Sequence, residues 1–472
     1  MMSRAFLRHA RTPLRVVSGL ALAAAVLAGA GAAGVTATMR ESFPAAPAGP
    51  PARGWPAPEP VEEGRTVVAV VLGTTGSVVG DVLPPYEVFA RSERFAVYTV
   101  SERREPVALS GGLHVLPDHT FDEVGAGTAP EPDVVVVPAV VQPRGEREAP
   151  LRAWITGQAG RGARILGVCA GSDLLAATGV LDGRAATSFW DRIGSLQSAY
   201  PRVEWVRGRR YVQDGPVTTT AGVTSGMAGA LRLVEQLAGT EEAGRIGRDL
   251  AYPGWSPGGP TGIPVNALAL ADLPYGLNAA FPWGRPSLGV GLVEGVGETD
   301  AAAAFEIYSG TSFAARAVPV AAGHTVRTRH GMILVAEPAG AATTPVDRLV
   351  VPGARNPGEA GPELTAWAAG RGLTVELPHR DRAPGESAFD PVLRDLAVRA
   401  DRATAVATAK FTEYPAAHLT LTGTAWPWRP TVLFVLVLAV AAGAASLPSR
   451  AVRRLLGRGT RRFLRRGAVR RA

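Results

Sequence analysis

One thiol stands out in this chain. Cys169 is the only cysteine among 472 residues, so no intramolecular disulfide is available in any compartment. It lies in residues 163–187, ARILGVCAGSDLLAATGVLDGRAAT, where a short apolar run ends in Gly167, Val168, Cys169, Ala170 and Gly171 and a helical stretch begins. Small residues on both sides permit a sharp strand-to-helix turn that lifts the thiol above a sheet. The helix N-terminus then favours thiolate, so this cysteine is expected to deprotonate more readily than a free one. The chemistry implied is nucleophilic attack on an electrophilic carbon, or reversible oxidation. The plain structural alternative is a small buried core residue.

Such a turn needs a rigid sheet beneath it. Residues 65–72 (RTVVAVVL), 132–137 (PDVVVV) and 163–168 (ARILGV) are short β-branched or aliphatic runs of the kind that form buried parallel strands. Helical segments are expected at 86–92, 150–160, 173–178 and 226–239, and this alternation predicts an α/β fold with a doubly wound parallel sheet. An internal echo is also legible. Residues 81–89 (DVLPPYEVF) and 300–308 (DAAAAFEIY) share an acid, five residues, a glutamate and an apolar pair. Each follows a strand and precedes another that ends in proline, VVVVP at Pro138 and RLVVP at Pro352. The expected organisation is an α/β domain at 65–255, a linker at 256–285, and a degenerate second copy at 286–415 without a cysteine or a Gly-rich elbow.

Three segments resemble the DJ-1/PfpI family of the class I glutamine amidotransferase-like superfamily, particularly the branch with isocyanide hydratases and the N-terminal domains of AraC-type regulators. They are DVLPPYEVFA at 81–90, GVCAGSDLLAATGVLDGRAATSFW at 167–190 and TTAGVTSGMAGALRLVEQLAG at 219–239. The resemblance implies a flavodoxin-like fold, Cys169 as nucleophile or oxidation-sensing thiol, and Asp81 as the acid beside it. Gly167, Ala170, Gly171, Thr187 and Phe189 are then expected around the pocket, with Glu87 structural. Departures are plain. Phe189 stands where active relatives commonly carry histidine before the tryptophan, Ala139 and Val140 replace a glycine pair, and Ala228 replaces an aspartate. His114 and His119 read as strand or turn residues, and the remaining histidines lie before the domain or in the second copy or its exit. A cysteine and an acid without histidine fit a cysteine-dependent hydratase or hydrolase of a small electrophile, with Asp81 relaying the proton. The competing reading is a non-catalytic ligand- or redox-sensing module. No cofactor or metal motif is read. A small-molecule ligand and a homodimer are both compatible with the family.

Charge and hydropathy place the domain. Residues 1–40 carry five arginines and no acid, and 448–472 carry ten and no acid, which leaves 34 of the 49 basic residues against all 41 acidic ones. The basic balance therefore resides in two tails, and no nucleic-acid partner is expected. A basic N-terminus at 1–15 precedes 24 uncharged residues at 16–39, which read as a transmembrane helix or a secretory signal with small residues near 30–33. A second apolar stretch at 430–447 follows Trp426 and Trp428 and precedes the Arg-rich tail, as a second transmembrane helix would. The expected localisation is the cell membrane, with both termini cytoplasmic if the first helix is retained and the body extracytoplasmic. Residues 40–64, rich in Pro and Ala, are expected to form a spacer that holds the body off the membrane.

Overall fold

A computed structural model describes residues 11–46, 54–62 and 64–446. The basic residues 1–10, parts of the Pro/Ala segment and the Arg-rich tail lie outside the described residues. So does Leu447, the last residue of the second apolar stretch.

The first sheet has β1 (Thr66–Val71), β2 (Phe95–Ser101), β3 (His119–Thr120), β4 (Val134–Val137), β5 (Arg164–Gly167), β6 (Tyr211–Asp214) and β7 (Val217–Thr220), in the order β6-β7-β5-β4-β1-β2-β3. All pairs are parallel except the β6–β7 hairpin. The central valines of β1 and β4 are fully buried on both faces, which is why these strands show no alternation in sequence. The layers are completed by α1 (Val79–Ala90), α2 (Ala149–Gly160), α3 (Gly171–Thr178), α4 (Ser225–Ala238) and α5 (Thr240–Leu250). Helix α1 begins well before the expected residue 86 and runs through Pro84 and Pro85. Prolines normally end a helix. Here the helix starts early because its first N–H groups find partners in tertiary structure: Val79 N donates to Ser110 Oγ at 2.9 Å and Gly80 N to Glu306 Oε2 at 3.1 Å.

The second sheet comprises β8 (Ser287–Leu292), β9 (Arg316–Ala321), β10 (Glu337–Pro338), β11 (Arg348–Val350) and β12 (Val375–Glu376), all parallel, in the order β10-β9-β8-β11-β12. That is the order of β3-β2-β1-β4-β5. Helix α6 (Glu298–Phe305) follows β8 as α1 follows β1, and the two helices pack on each other around a shared apolar core. The contact is reciprocal. Glu306 accepts from Gly80 N, and Glu87 Oε2 accepts from Thr299 N at 2.7 Å. Glu87 and Glu306 are equivalent in the repeat, and so are Gly80 and Thr299. The interface is thus isologous within one chain. Antiparallel pairing of Ile333–Val335 with His114–Leu116 joins the copies again.

The N-terminal helix Arg11–Ser42 packs along the C-terminal helix Trp428–Ser446. Within the first, Leu20–Ser42 is the one helix among the described residues that is long and apolar enough to cross a membrane, and its residues are mostly exposed. The apolar part of the second, Trp428–Gly443, is shorter. The Pro/Ala segment differs from the expected stand-off spacer, since its described parts lie against the body. Pro44 O meets His114 Nε2 at 3.0 Å, Trp55 packs on Leu116, Ile333 and Val335, and Ala57 O accepts from Arg327 at 3.1 Å. A proline-rich strand makes no hydrogen bonds of its own, so its carbonyls are free to take donors from the body.

Candidate functional site

Cys169 sits where β5 hands over to α3, with φ +55°, one of four non-glycine residues in the left-handed region among the described residues. A non-glycine residue held there stores strain, and such strain concentrates at functional turns. Close approach makes the turn possible: a Cβ at Gly171 would lie 2.1 Å from the Val137 carbonyl oxygen, and one at Gly167 would meet Leu175 at 2.6 Å. Ala170 is the residue before the first helical turn, φ −75°. The backbone of Cys169 is fixed on both sides. Its N–H donates to Thr220 Oγ1 at 3.3 Å, and its carbonyl accepts from Ser172 Oγ at 3.0 Å and Ser188 Oγ at 3.2 Å.

Asp81, in the first turn of α1, is fully buried. Its Oδ2 accepts from Ala139 N at 3.0 Å, while its Oδ1 has no hydrogen-bond partner among the described residues. Ala139 stands where the expected pattern has a glycine, and its N–H is occupied by Asp81. Burial pushes the Asp81 carboxyl well above the ordinary carboxylate range, opposed by the Ala139 N–H and reinforced by the nearby charge of Glu306.

The thiol differs from the expectation of ready deprotonation. Burial pushes Cys169 well above the usual thiol range, and the electrostatic influence of the Asp81 carboxyl adds to this; the Ala170 N–H opposes it, and Glu413 and Glu306 raise it further. The turn of helix is real, but water is excluded and carboxyls surround the sulfur, and these outweigh a dipole of half a charge. Burial therefore raises both members of the pair.

Of the other residues expected here, Thr187 is bound into the scaffold, its N donating to Thr219 Oγ1 and its Oγ1 to Val206 O, both at 2.8 Å. Phe189 packs against Trp190 and Phe411. Glu87 lies away from the thiol and ties the copies together, paired with Arg91 at 2.6 Å as well as with Thr299. Glu87, Glu298 and His330 bring ligand atoms within 4.8 Å of one another, but these oxygens already accept from Arg91, Thr299, and the backbone and ring of His330.

The chain after the first domain supplies residues that sequence reasoning missed. Tyr275, in helix α7 (Leu273–Ala280), stacks on Phe411 with ring centroids 3.9 Å apart, and Phe411 lies against Phe189 and Trp190. Glu413, also in the left-handed region at φ +50°, follows and accepts from Gly222 N, while Thr224 N donates to Thr412 O at 3.0 Å. Burial raises Glu413 to about 7, and Tyr275 to about 12, the latter helped by Asp191, Glu306 and Cys169. Tyr275, Phe411 and Glu413 together form a lid, and a cleft of about 10 Å³ beside Glu413 is bordered by Thr187, Ser188 and Trp190, space on the order of one water molecule. Glu306 carries a signal as the repeat's glutamate. Glu413 carries none, because its place depends on how the exit of the second copy folds back.

The second copy has its own version of this corner. Val136 pairs with Leu166 and Val350 with Glu376, each valine two residues before its proline. Three residues beyond those partners stand Cys169 and His379, so histidine occupies the elbow position. Both ring nitrogens are engaged: Gly353 N donates to Nδ1 at 3.0 Å and Nε2 meets Ala388 O at 3.0 Å. Asp300, the equivalent of Asp81, is paired with Arg382 at 2.8 Å. This corner is a structural clasp. Asp300→Ala is expected to destabilise the fold by about 3 kcal/mol, since it strands a half-buried arginine, while leaving alkylation of Cys169 unchanged; thermal melting and thiol labelling of the full chain test both.

A doubly wound sheet carrying a strained cysteine at a strand-to-helix elbow, with a buried acid alongside, defines a class of elbow-cysteine α/β proteins. The DJ-1/PfpI family model matches residues 67–236. The isonitrile hydratase of Pseudomonas putida is 34% identical over 192 residues, covering 39% of this chain and 79% of the hydratase. The HTH-type transcriptional regulator CdhR of Pseudomonas aeruginosa is 31% identical over 141 residues, 30% of this chain and 40% of the regulator. Among solved structures, a ThiJ/PfpI family protein from Pseudomonas syringae matches with 28% identity and a TM-score of 0.35, over 39% of this chain and 74% of that one. The chain belongs to the DJ-1/PfpI family.

Proposed function

We propose that this is a membrane-anchored protein with an extracytoplasmic body, in which Cys169 and Asp81 add water to a small electrophile of the isonitrile type. The orphaned, buried Oδ1 of Asp81 carries the reading. An unpaired carboxyl oxygen in a dry corner is unfavourable for folding and calls for a functional reason, and a carboxyl that burial pushes upward is suited to give a proton to a substrate atom. In the proposed step the sulfur bonds to the terminal carbon of the isonitrile, Asp81 protonates that carbon, and the thiol proton passes to the carboxylate. Water then adds to the resulting thioimidate and the thiol leaves, giving a formamide. No free thiolate is required, which suits a pair whose members burial both raises. A hydratase relative with 79% of its length matched supports the chemistry.

The membrane part rests on the apolar helix Leu20–Ser42. Its C-terminal end is built into the body: Thr38 Oγ1 donates to Ala279 O at 2.8 Å, Glu41 pairs with Arg285 at 2.5 Å, and Gly111 N donates to Ser42 Oγ at 3.0 Å. These bonds favour a retained anchor over a removed leader. The closed lid and the protonated thiol favour a second reading, a ligand-sensing module, for which the regulator relatives are the parallel.

The test is conversion of an aryl isonitrile by the full chain in detergent, followed as formamide. Cys169→Ser is expected to lower the rate by on the order of 10³ and Asp81→Ala to lower it strongly, with both variants folded. Turnover that survives Cys169→Ser, or absent turnover together with saturable stabilisation by isonitrile, would replace catalysis with binding.

A further inference from the structure

Residues 263–283, IPVNALALADLPYGLNAAFPW, hold a single charged residue, Asp272, and that charge is neutralised by Lys410 at 2.6 Å. The segment nevertheless presents large apolar side chains outward. Val265 is 66% exposed, Leu268 68%, Leu270 83%, Leu273 49% and Trp283 45%. Scattered apolar residues on a surface are ordinary, but five within 19 positions on one uncharged segment form a patch that water does not favour.

Its place in the fold says what covers it. Helix α7 lies where the two apolar helices leave the body: Thr38 bonds to Ala279 O, a Cβ at Gly34 would overlap the Ala280 carbonyl, and Phe281 meets Phe434 with ring centroids 5.7 Å apart. Arg429 donates to the carbonyls of Pro282 and Trp283. Trp428, at the start of the C-terminal helix, is also exposed. Tryptophans and a short apolar segment gathered at the roots of membrane helices are the composition of a bilayer interface.

From this continuity we propose that residues 263–283 seat on the lipid interface of the membrane that holds the two apolar helices, with Val265, Leu268, Leu270 and Leu273 at the boundary of headgroups and acyl chains. Ile263, Pro264 and Val265 also form a wall of the small cleft beside Ser188 and Glu413, so the seated segment reaches from the membrane helices to the lid residue Glu413. The inference rests on the membrane reading above and extends it from the helices to the body.

The experiment places an environment-sensitive fluorophore at Val265→Cys, Leu270→Cys, Val440→Cys or Glu131→Cys, each in the full chain with Cys169→Ala, reconstituted in phosphatidylcholine vesicles. Quenching by lipids spin-labelled high in the acyl chain is compared with quenching by aqueous iodide. Lipid quenching is expected at Val265, Leu270 and Val440, and iodide quenching at Glu131, an exposed residue beside the starts of β1, β4 and β5. Lipid quenching at Val440 with iodide quenching at Val265 and Leu270 would overturn the seating while leaving the anchor intact. Iodide quenching at Val440 would overturn both. Protection of Leu270 from both quenchers, with labelled chains cross-linking to each other, would assign the patch to a second copy and overturn the lipid assignment.

Discussion

Glu413→Gln is expected to make the full chain more stable, and to do so only above mildly acidic pH. Burial lifts the carboxyl of Glu413 from an ordinary 4.5 to about 7. Below pH 4.5 the group is protonated in both folded and unfolded chains and contributes nothing. As pH rises, the unfolded chain ionises first and is favoured by that ionisation, so stability falls until the folded group also titrates near 7. A shift of this size, at about 1.4 kcal/mol for each pKa unit and reduced for partial exposure, corresponds to roughly 2–3 kcal/mol. Glutamine keeps an oxygen to accept from Gly222 N and removes the charge. Melting temperatures at pH 5 and pH 8 should therefore diverge between wild type and variant, with the larger gain at pH 8. An equal gain at both pH values would mean that Glu413 is solvated and does not close the site. The exposed Glu131→Gln is the control, expected to shift neither.

This prediction has no source in the local sequence around Glu413, and the reason is physical. The strands that hold Cys169 announce themselves because both faces are buried, giving runs such as VVAVV and VVVV; the elbow announces itself because only small residues allow helix α3 to approach β4. Both signals are local in sequence. The environment of the sulfur depends instead on four distant segments: α1 with Asp81, the second copy with Glu306, α7 with Tyr275, and the exit with Phe411 and Glu413. Periodicity and motif spacing carry no information about which distant carboxyl meets which thiol. The expectation of an easily ionised cysteine fails for this reason, since it weighs the helix terminus, which is local, and omits the burial, which is not. The start of α1 is obscured in the same way, because Pro84 and Pro85 speak locally against helix while Glu306 and Ser110 supply its first N–H groups from afar. The repeat is the exception. Two copies of one pattern, Asp then Glu six residues on, reveal a long-range relation because the copies pack by exchanging those very glutamates.

Alkylation of Cys169 by iodoacetamide tests the burial directly. In the folded chain at pH 7 the reaction is expected to run on the order of 10² slower than with a free cysteine, whose pKa is about 8.5, and to accelerate with rising pH without levelling off below 9. Two effects combine. The thiol is protonated, and the Tyr275–Phe411 stack with Phe189 and Trp190 keeps the reagent out. Phe411→Ala separates them: removing the ring opens access, so the rate should rise about tenfold at every pH while its pH dependence keeps its shape. Asp81→Asn should act on the pH dependence instead. The asparagine amide still provides a donor in the corner that Oδ1 occupies and can never ionise, so thiolate forms at lower pH than in wild type. Asp81→Ala lacks that donor and leaves the Ala139 N–H without its partner, and its rate should fall below that of the asparagine variant. The ordering Asn above Ala, with Phe411→Ala additive to either, is the outcome that a proton-bearing Asp81 beside a buried thiol requires. A cysteine that reacts at the free rate at pH 7, indifferent to all three substitutions, would show that the elbow is open to solvent and that neither the lid nor the acid controls it.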